Sequence, residues 1–265
     1  MNTYYYVHTG HRIGLDRFRR AVAILKALGS DITLLTSDFR IAQVAKDFGI
    51  EKSVGIDVVR NIPQIAKNGD RLIFDSDEAN PLMLEDMKQF FSTFIPIKSD
   101  TVVVDSQFLN ATGEKSVKMS YFFGDDDYEK DLEKNFDFIE GLEISLQLGF
   151  YYFLDYEAML QEKFVNYFEF EEYSEMIIAT DILITSSPQA VLDSLASGGR
   201  PIYVQREDYT RDFNEMFESL NIPIIYNFER AKLVNLLEGF DAHNYLNKLP
   251  DSKKTVDFIK ENLAL

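Results

Sequence analysis

Two α/β domains in series, each built on a mainly parallel sheet, follow from three features of this 265-residue sequence. Short β-rich runs alternate with amphipathic segments, which lays consecutive strands side by side through crossover helices. The alternation breaks once, over the polar, aperiodic stretch Ser106 to Lys118, and then resumes. Hydrophobic residues make up 46% of the chain, enough apolar material for real cores and too much for a disordered chain.

The elements can be read in order. Tyr4 to Val7 is a strand, the loop Thr9 to Gly14 comes next, and Leu15, Phe18, Val22, Leu25 and Leu28 fall at helical spacing before a capping Gly29. Ile32 to Thr36 is the next strand, Ile41 to Phe48 a helix closed by Gly49, and Arg71 to Asp75 a further strand. Pro81 to Phe91 reads as helix, and Phe94 to Ile97 and Thr101 to Val104 as the last strands of this half. In the second half Tyr121 to Phe123 is a strand that ends at the turn Gly124-Asp125-Asp126-Asp127, and Tyr128 to Phe138 a helix. Leu142 to Leu146 is a strand, succeeded by a helix through Ala158 and Phe164, the run Val165 to Phe170 and a helix from Glu172 to Ala179. The strand Ile182 to Thr185, a helix carrying Val191 and Leu195, and the strands Pro201 to Val204 and Ile222 to Tyr226 complete the series. The expected boundaries are 1–110 and 119–248 for the two domains. A last helix in 249–265 carries Val256, Ile259 and Leu263 on one face.

The formal charge is −17, from 27 Lys and Arg against 44 Asp and Glu. Nucleic acid and anionic lipid require clustered cations that displace counterions, so no nucleic-acid partner is expected. Absence of cysteine removes disulfides, thiolate metal sites and a cysteine nucleophile, and His8, His11 and His243 are too few for a histidine-rich metal centre. No cofactor is called for. No run of about 18 apolar residues occurs, and the start MNTYYYVHTG lacks the cationic and apolar parts of a signal peptide, so a cytoplasmic location and no transmembrane segment are expected. A Gly-x-Ser-x-Gly elbow, a P-loop and zinc spacing are also absent from the sequence.

In an open parallel sheet the ligand crevice lies beyond the carboxyl ends of the strands, where loops feed helix N-termini. Three loops qualify: Thr9 to Asp16, Gly124 to Asp127, and Thr185 to Gln189. In two facing domains they would converge on one interdomain cleft.

The string from Thr180 to Val204, TDILITSSPQAVLDSLASGGRPIYV, resembles the donor-binding segment of GT-B glycosyltransferases, in which a strand, a small-residue turn, an acidic-bearing helix and a second strand succeed one another. Within that fold the first half is similar to the UDP-sugar hydrolase of pseudaminic acid biosynthesis and, more remotely, to the peptidoglycan N-acetylglucosaminyltransferase. The hydrolase pattern Gly-x-Gly-His-x-x-Arg corresponds to Gly14-Leu15-Asp16-Arg17-Phe18-Arg19-Arg20, which keeps the first glycine and the last arginine and puts Asp16 for the second glycine and Arg17 for the histidine. The resemblance implies two Rossmann-like domains, a last helix that packs back toward the first domain, and a nucleotide-sugar partner, UDP-linked in these relatives. It implies a glycosyltransferase or UDP-sugar hydrolase of cell-surface carbohydrate synthesis. The missing histidine and the acidified turn leave open a non-catalytic module that binds a ligand or a partner protein.

Ser186, Ser187 and Gln189 fall where a helix begins, so hydroxyls, N–H groups and the helix dipole can receive phosphate or base oxygens. Asp193, a turn further on, corresponds to the acidic residue that relatives use on ribose hydroxyls, and its removal is expected to leave folding almost unaffected. The plain alternative makes Ser187 an N-cap and Asp193 a solvated helix residue. In the first loop Gly14 and Arg17 are candidates for substrate binding, and His11 and Asp16 for proton transfer or water activation; a surface histidine is the alternative. Gly124 would let backbone approach a diphosphate, whereas Asp125, Asp126 and Asp127 would oppose it. They could instead hold a divalent ion, or form a solvated turn that starts a helix. The run Phe150 to Tyr156 reads as core or interface, and Glu169, Glu171, Glu172 and Glu175 as a solvated face.

Overall fold

A strand that is apolar on both faces belongs in the middle of a sheet covered on each side by helices, and Tyr4, Tyr5, Tyr6 and Val7 are all buried. In the computed structural model, which describes residues 1–164, 166–246, 249 and 251–264, this segment is β1 (Thr3–Val7). It is the centre of a parallel sheet with β2 (Thr33–Thr36), β3 (Ser53–Gly55), β4 (Arg71–Asp75) and β5 (Thr93–Pro96), in the order β3-β2-β1-β4-β5. Tyr5 sits opposite Leu34 on one side and Ile73 on the other.

The connecting helices are α1 (Asp16–Leu28), α2 (Phe39–Val44), α3 (Ile62–Ile65) and α4 (Pro81–Phe90), and α5 (Ser106–Leu109) comes after the sheet. α1 buries Phe18, Val22, Leu25 and Leu28 and stops at Gly29, whose φ of 60° lets its N–H reach the Leu25 carbonyl. Asn80 caps α4 by accepting from the Met83 N–H at 2.9 Å, with Pro81 at the first helical position.

The chain divides into two compact units, Met1–Ser106 with Asp251–Leu265, and Gln107–Pro250. The second carries a six-stranded sheet of β6 (Val117–Phe122), β7 (Ser145–Gln147), β8 (Tyr167–Phe168), β9 (Thr180–Thr185), β10 (Arg200–Gln205) and β11 (Ile224–Tyr226). Its order is β11-β10-β9-β6-β7-β8, and every pairing is parallel. Its helices are α6 (Asp131–Lys134), α7 (Leu154–Lys163), α8 (Tyr173–Ala179), α9 (Pro188–Ala196), α10 (Asn214–Ser219) and α11 (Arg230–Glu238). Tyr121, Phe123, Phe138, Leu146, Tyr152, Tyr156 and Ile184 share its core, so Tyr152 and Tyr156 of the aromatic run fill the interior, whereas Phe153 and Leu154 are exposed. The last helix, α12 (Ser252–Leu263), belongs to the first unit. It packs on α1 and β5 through buried Val256, Ile259 and Leu263, and the Ser252 hydroxyl accepts from the Val104 N–H at 3.4 Å.

Several elements differ from expectation. Thr101 to Val104 joins no sheet: Val102, Val103 and Val104 are buried as extended chain, and Val104 gives its N–H to α12. β3 is a short strand that the polar flank Lys52-Ser53 conceals in the sequence. The expected helix Tyr128 to Phe138 shrinks to α6 and a 3-10 turn at Phe136–Phe138, because Lys130 adopts a left-handed φ of 57° and Asp127 accepts from the N–H groups of Asp131 and Leu132. β6 begins at Val117, within the stretch read as a linker, and β7 covers Ser145–Gln147 rather than Leu142 to Leu146. The acidic run includes a reciprocal cap, Glu169 and Glu172 each accepting from the other's end of the 3-10 turn Phe170–Glu172. Val165, the expected domain end Lys248 and the last residue Leu265 lie outside the described residues. Among the described residues no helix is long and apolar enough to cross a membrane.

The first unit is tied together at Asp75, the last residue of β4. Arg20 grips it with two hydrogen bonds, Nε to Oδ2 at 3.0 Å and Nη2 to Oδ1 at 2.6 Å, and the Tyr5 hydroxyl donates to Oδ2 at 3.0 Å. The remaining guanidinium nitrogen reaches the carbonyls of Ser99 and Thr101 at 2.7 and 3.2 Å. Burial works against the Arg20 cation and Asp75 outweighs it, so the guanidinium is held above its ordinary value. Arg20→Met strands a buried carboxylate and should lower the unfolding free energy by about 3–5 kcal/mol. Urea unfolding measures this, and the double variant Arg20→Met, Asp75→Leu should recover much of the loss.

Candidate functional site

Each sheet grows outward in two directions from a central pair of strands, β1 with β4 and β6 with β9. At such a pair the connecting loops leave to opposite sides, and a crevice opens at the carboxyl ends. In the second unit the loops that meet there are the Gly124 turn after β6 and Ser186 to Gln189 after β9, joined by a bond from the Ser186 N–H to the Phe122 carbonyl at 3.1 Å.

α9 starts here for local reasons. Ser187 accepts from the Ala190 N–H at 3.0 Å, Pro188 occupies the first helical position, and Thr185 Oγ1 accepts from the Ser187 N–H at 3.0 Å. Ser187 is therefore an N-cap at the crevice. Ser186 is fully buried, and its hydroxyl has no hydrogen-bond partner among the described residues. Gln189 donates to Asp193 Oδ1 at 2.9 Å, and Tyr173 of α8 donates to Asp193 Oδ2 at 2.9 Å. Asp193 is 1% exposed. It is buried rather than solvated, and two buried donors depend on it.

The acidic turn is also turned inward. Asp125, Asp126 and Asp127 are all buried, which replaces the expectation of a solvated turn. Asp127 takes the N–H groups of Asp131 and Leu132 at 2.7 and 3.0 Å and the Tyr156 hydroxyl at 2.5 Å. Burial raises its carboxyl, and the three hydrogen bonds offset this in part. Arg206, 4% exposed, lies against the turn and donates to the Asp126 carbonyl at 2.8 Å. Its guanidinium is 4.2 Å from the Phe123 ring centroid and 4.4 Å from that of Tyr209, and it grips Asp208 at 2.6 Å. Gly124, with φ 124°, fits beneath it, since a Cβ there would lie 3.2 Å from the Tyr209 hydroxyl. Gly149 lets the succeeding loop close on the turn; a Cβ would be 2.6 Å from the Gly124 carbonyl oxygen. Among the described residues no group of three acidic or histidine side chains could hold a metal ion.

A cavity of about 380 Å³ opens at the ends of β10 and β11, lined by residues including Asn135, Gln205, Arg206, Asn227 and Phe228. Asn227 and Phe228 are consecutive left-handed residues, φ 55° and 51°, and the buried Gln205 Oε1 has no partner among the described residues.

In the first unit the loop after β1 is closed by a bridge between Gly10 and Gly14, with the Gly14 N–H on the Gly10 carbonyl at 3.0 Å. His11 is exposed on this loop beside Arg12, whose φ is 67°. Gly14 is buried with φ 71°, and Asp16 opens α1, half-buried. Arg17 points to the end of β4 and holds Asp77 through two bonds of 2.7 and 3.0 Å. Arg20, the arginine that the hydrolase pattern preserves, serves the core. His8, to which the sequence assigns no role, lies directly after β1 at the crevice: its Nδ1 is 3.1 Å from Asp77 Oδ1, and its Nε2 is 3.8 Å from Glu78 Oε1. Its place at the end of one buried strand, and that of the string Asp75-Ser76-Asp77-Glu78 at the end of another, are the signals by which a sequence could disclose it.

No protein family matches the sequence, and no curated protein matches it at a significant level. Solved structures do match. The structure is similar to the UDP-GlcNAc 2-epimerase of Methanocaldococcus jannaschii, solved in complex with UDP-GlcNAc and UDP, with a TM-score of 0.64, 10% identity and 100% of both chains covered. It is similar to MurG of Acinetobacter baumannii, with a TM-score of 0.54, 12% identity, and 98% of this chain and 100% of that one covered. A glycosyltransferase from Rickettsia africae gives 0.54 and 11%, over 99% and 98% of the two chains. The fold is thus the GT-B type, two Rossmann-like α/β units with parallel sheets.

The buried carboxylates give two expected outcomes. Asp193→Ala should cost about 1–3 kcal/mol of stability by orphaning Tyr173 and Gln189, whereas Asp193→Asn should cost less; thermal unfolding of the two variants separates them. Because the folded carboxyl of Asp127 titrates above its unfolded value, its contribution is present at low pH and declines as pH rises from about 3.9 through the folded value. In urea titrations over that window the wild type should lose stability relative to Asp127→Asn as pH rises.

Proposed function

We propose that this protein binds a UDP-linked sugar at the crevice of its second unit and acts on it as a glycosyltransferase or UDP-sugar hydrolase in cell-surface carbohydrate synthesis. The observation that carries the reading is the meeting of the Gly124 turn with the capped N-terminus of α9 at the central strand pair. First-turn N–H groups and the helix dipole there suit an anion, and Gly124 allows its close approach. The similar structures lend support, since the M. jannaschii protein was solved with UDP-GlcNAc and UDP.

In this reading Gly124, Ser186, Ser187 and Gln189 serve the diphosphate end, and the cavity beside Phe228 receives the base. Asp193 reaches a ribose hydroxyl directly by giving up Gln189 or Tyr173; otherwise it acts by orienting Gln189. The net charge of −17 does not forbid an anionic ligand, because Asp127 faces inward onto three donors and Arg206 lies against the turn. The second unit, 119–248 by the sequence pattern, is accordingly the nucleotide-binding one. In the first unit Gly14 shapes the loop that carries His11 and leads to Asp16 and Arg17 at the start of α1.

Thermal unfolding with UDP, GDP, CMP and TDP, and then assay of nucleoside diphosphate release from a panel of nucleotide sugars, tests the proposal. UDP at about 100 times its Kd should add about 2.7 kcal/mol of stability, and one UDP-sugar should release UDP. Binding without release indicates a non-catalytic ligand-binding member of the fold. No stabilisation by any nucleotide overturns the reading.

A further inference from the structure

Within the nucleotide-sugar reading, on which this inference rests, a diphosphate calls for a full positive charge, since first-turn N–H groups and the helix dipole carry only partial charge. We propose that Arg206 supplies it, and that Asp208 fills the phosphate-binding edge of this arginine until a nucleoside diphosphate displaces it. Arg206 is placed for this role. A Cβ on Gly124 would lie 3.6 Å from Arg206 Nη1, so the guanidinium adjoins the turn assigned to the diphosphate. Arg206 and Asp208 also both line the cavity of about 380 Å³ beside Phe228.

The guanidinium uses its nitrogens in two ways. Nη1 donates to the carbonyls of Asp126 and Phe123 at 2.8 and 3.4 Å, and the ring centroids of Phe123 and Tyr209 lie 4.2 and 4.4 Å from the central carbon. These contacts hold the group in place without help from Asp208. Nε and Nη2 form a separate edge, a fork that fits two oxygens of a carboxylate or of a phosphate equally well. Asp208 fills that fork, with Nε to Oδ1 at 2.9 Å and Nη2 to Oδ2 at 2.6 Å.

The two partners differ in depth. The Arg206 side chain is 4% exposed and that of Asp208 is 48% exposed. A carboxylate so open regains water when it leaves, whereas a guanidinium so deep must keep a counter-charge, so one anion replaces another. The backbone need not open for this. The Tyr209 N–H meets the Arg206 carbonyl at 3.4 Å and closes a turn with Glu207 and Asp208 at its corners, and Gln205 Nε2 pins the turn through the carbonyls of Arg206 and Tyr209 at 2.7 and 3.2 Å. Rotation of the Asp208 side chain is enough to clear the fork. Asp208 thus keeps a buried cation neutralised while the site is empty, and a phosphate does so once it is bound.

Calorimetric titration of the full chain with UDP tests the exchange, with thermal unfolding to show that each variant folds. Asp208→Asn removes the competing charge and should tighten UDP binding about tenfold, whereas Glu207→Gln, the same charge change one residue away, should alter it less than about twofold. Arg206→Gln should weaken UDP binding about tenfold or more, and in the double variant Arg206→Gln, Asp208→Asn the gain from Asp208→Asn should vanish. Uridine, which has no phosphate, should bind the wild type and Asp208→Asn within about twofold of each other. In nitrogen-15 spectra the Arg206 Nε–H signal should move when UDP is added to the wild type. Asp208→Asn, at a half-exposed position, decides the question even where Arg206→Gln does not fold. UDP affinity unchanged by Asp208→Asn, or raised as much by Glu207→Gln, overturns the exchange while leaving the nucleotide-sugar reading intact. Failure of UDP, GDP, CMP and TDP to bind either the wild type or Asp208→Asn overturns that reading and this inference with it.

Discussion

The constraint on which the molecule depends is the central strand pair of each parallel sheet. Parallel strands need crossover connections, and right-handed crossovers to the two sides of one pair must leave it in opposite directions. A crevice at the carboxyl ends is the geometric result, whatever residues occupy it. In the first unit the pair β1 and β4 delivers His8, Thr9, Asp77 and Glu78 to that crevice; in the second, β6 and β9 deliver Gly124, Asp125, Ser186 and Ser187. The residues at four strand ends thus set the chemistry open to the protein.

A chain with so large a negative charge must keep its carboxylates from opposing one another and any anion it binds. It does so by assigning partners one at a time. Asp75 is neutralised by Arg20 in the core, Asp77 by Arg17 at the rim, and Asp181 by Arg200 and Lys118. Asp127 uses two N–H groups and a tyrosine hydroxyl instead of a cation. These arrangements make the local field at a crevice different in kind from the net charge, because Coulomb terms at contact distance outweigh the screened sum from distant side chains.

The alternation of β-rich runs with helical periodicity is enough to lay out most strands, since β1, β4, β9 and β10 are largely apolar and could be little else in a chain of this pattern. Short elements escape where long-range partners decide them. Thr101 to Val104 has the composition of a strand, yet Val104 bonds to the start of α12, 148 residues later in the chain. The site is legible to the extent that it is local. Ser187 as a cap and Gly124 as a close-approach point can be read from neighbouring residues. Asp193 cannot be placed that way, because the tyrosine that draws it inward comes from another helix, and His8 escapes notice because its carboxylates lie 69 and 70 positions away.

The two arginines of α1 show how the core and the crevice are coupled. Arg17 and Arg20 are three residues apart, so they project from one face of the helix about 4.5 Å apart along its axis. Asp75 ends β4, and Asp77 lies in the bend two residues further on, beyond the strand. The helix runs down as the strand runs up, so the deeper arginine meets the deeper aspartate and the shallower pair forms at the rim. Burial makes the inner pair the stronger constraint: with 5% and 2% of the side chains exposed, any slip of α1 along β4 would strand two charges out of water. That register then fixes Arg17 against Asp77, although Asp77 itself is largely exposed and could not hold the arginine by an isolated surface ion pair. Asp77 in turn lies 3.1 Å from Nδ1 of His8. The arginine that the sequence pattern preserves thus reaches the crevice indirectly: Arg20 spends its hydrogen bonds in the core, and the register it fixes holds Arg17 against Asp77 at the rim.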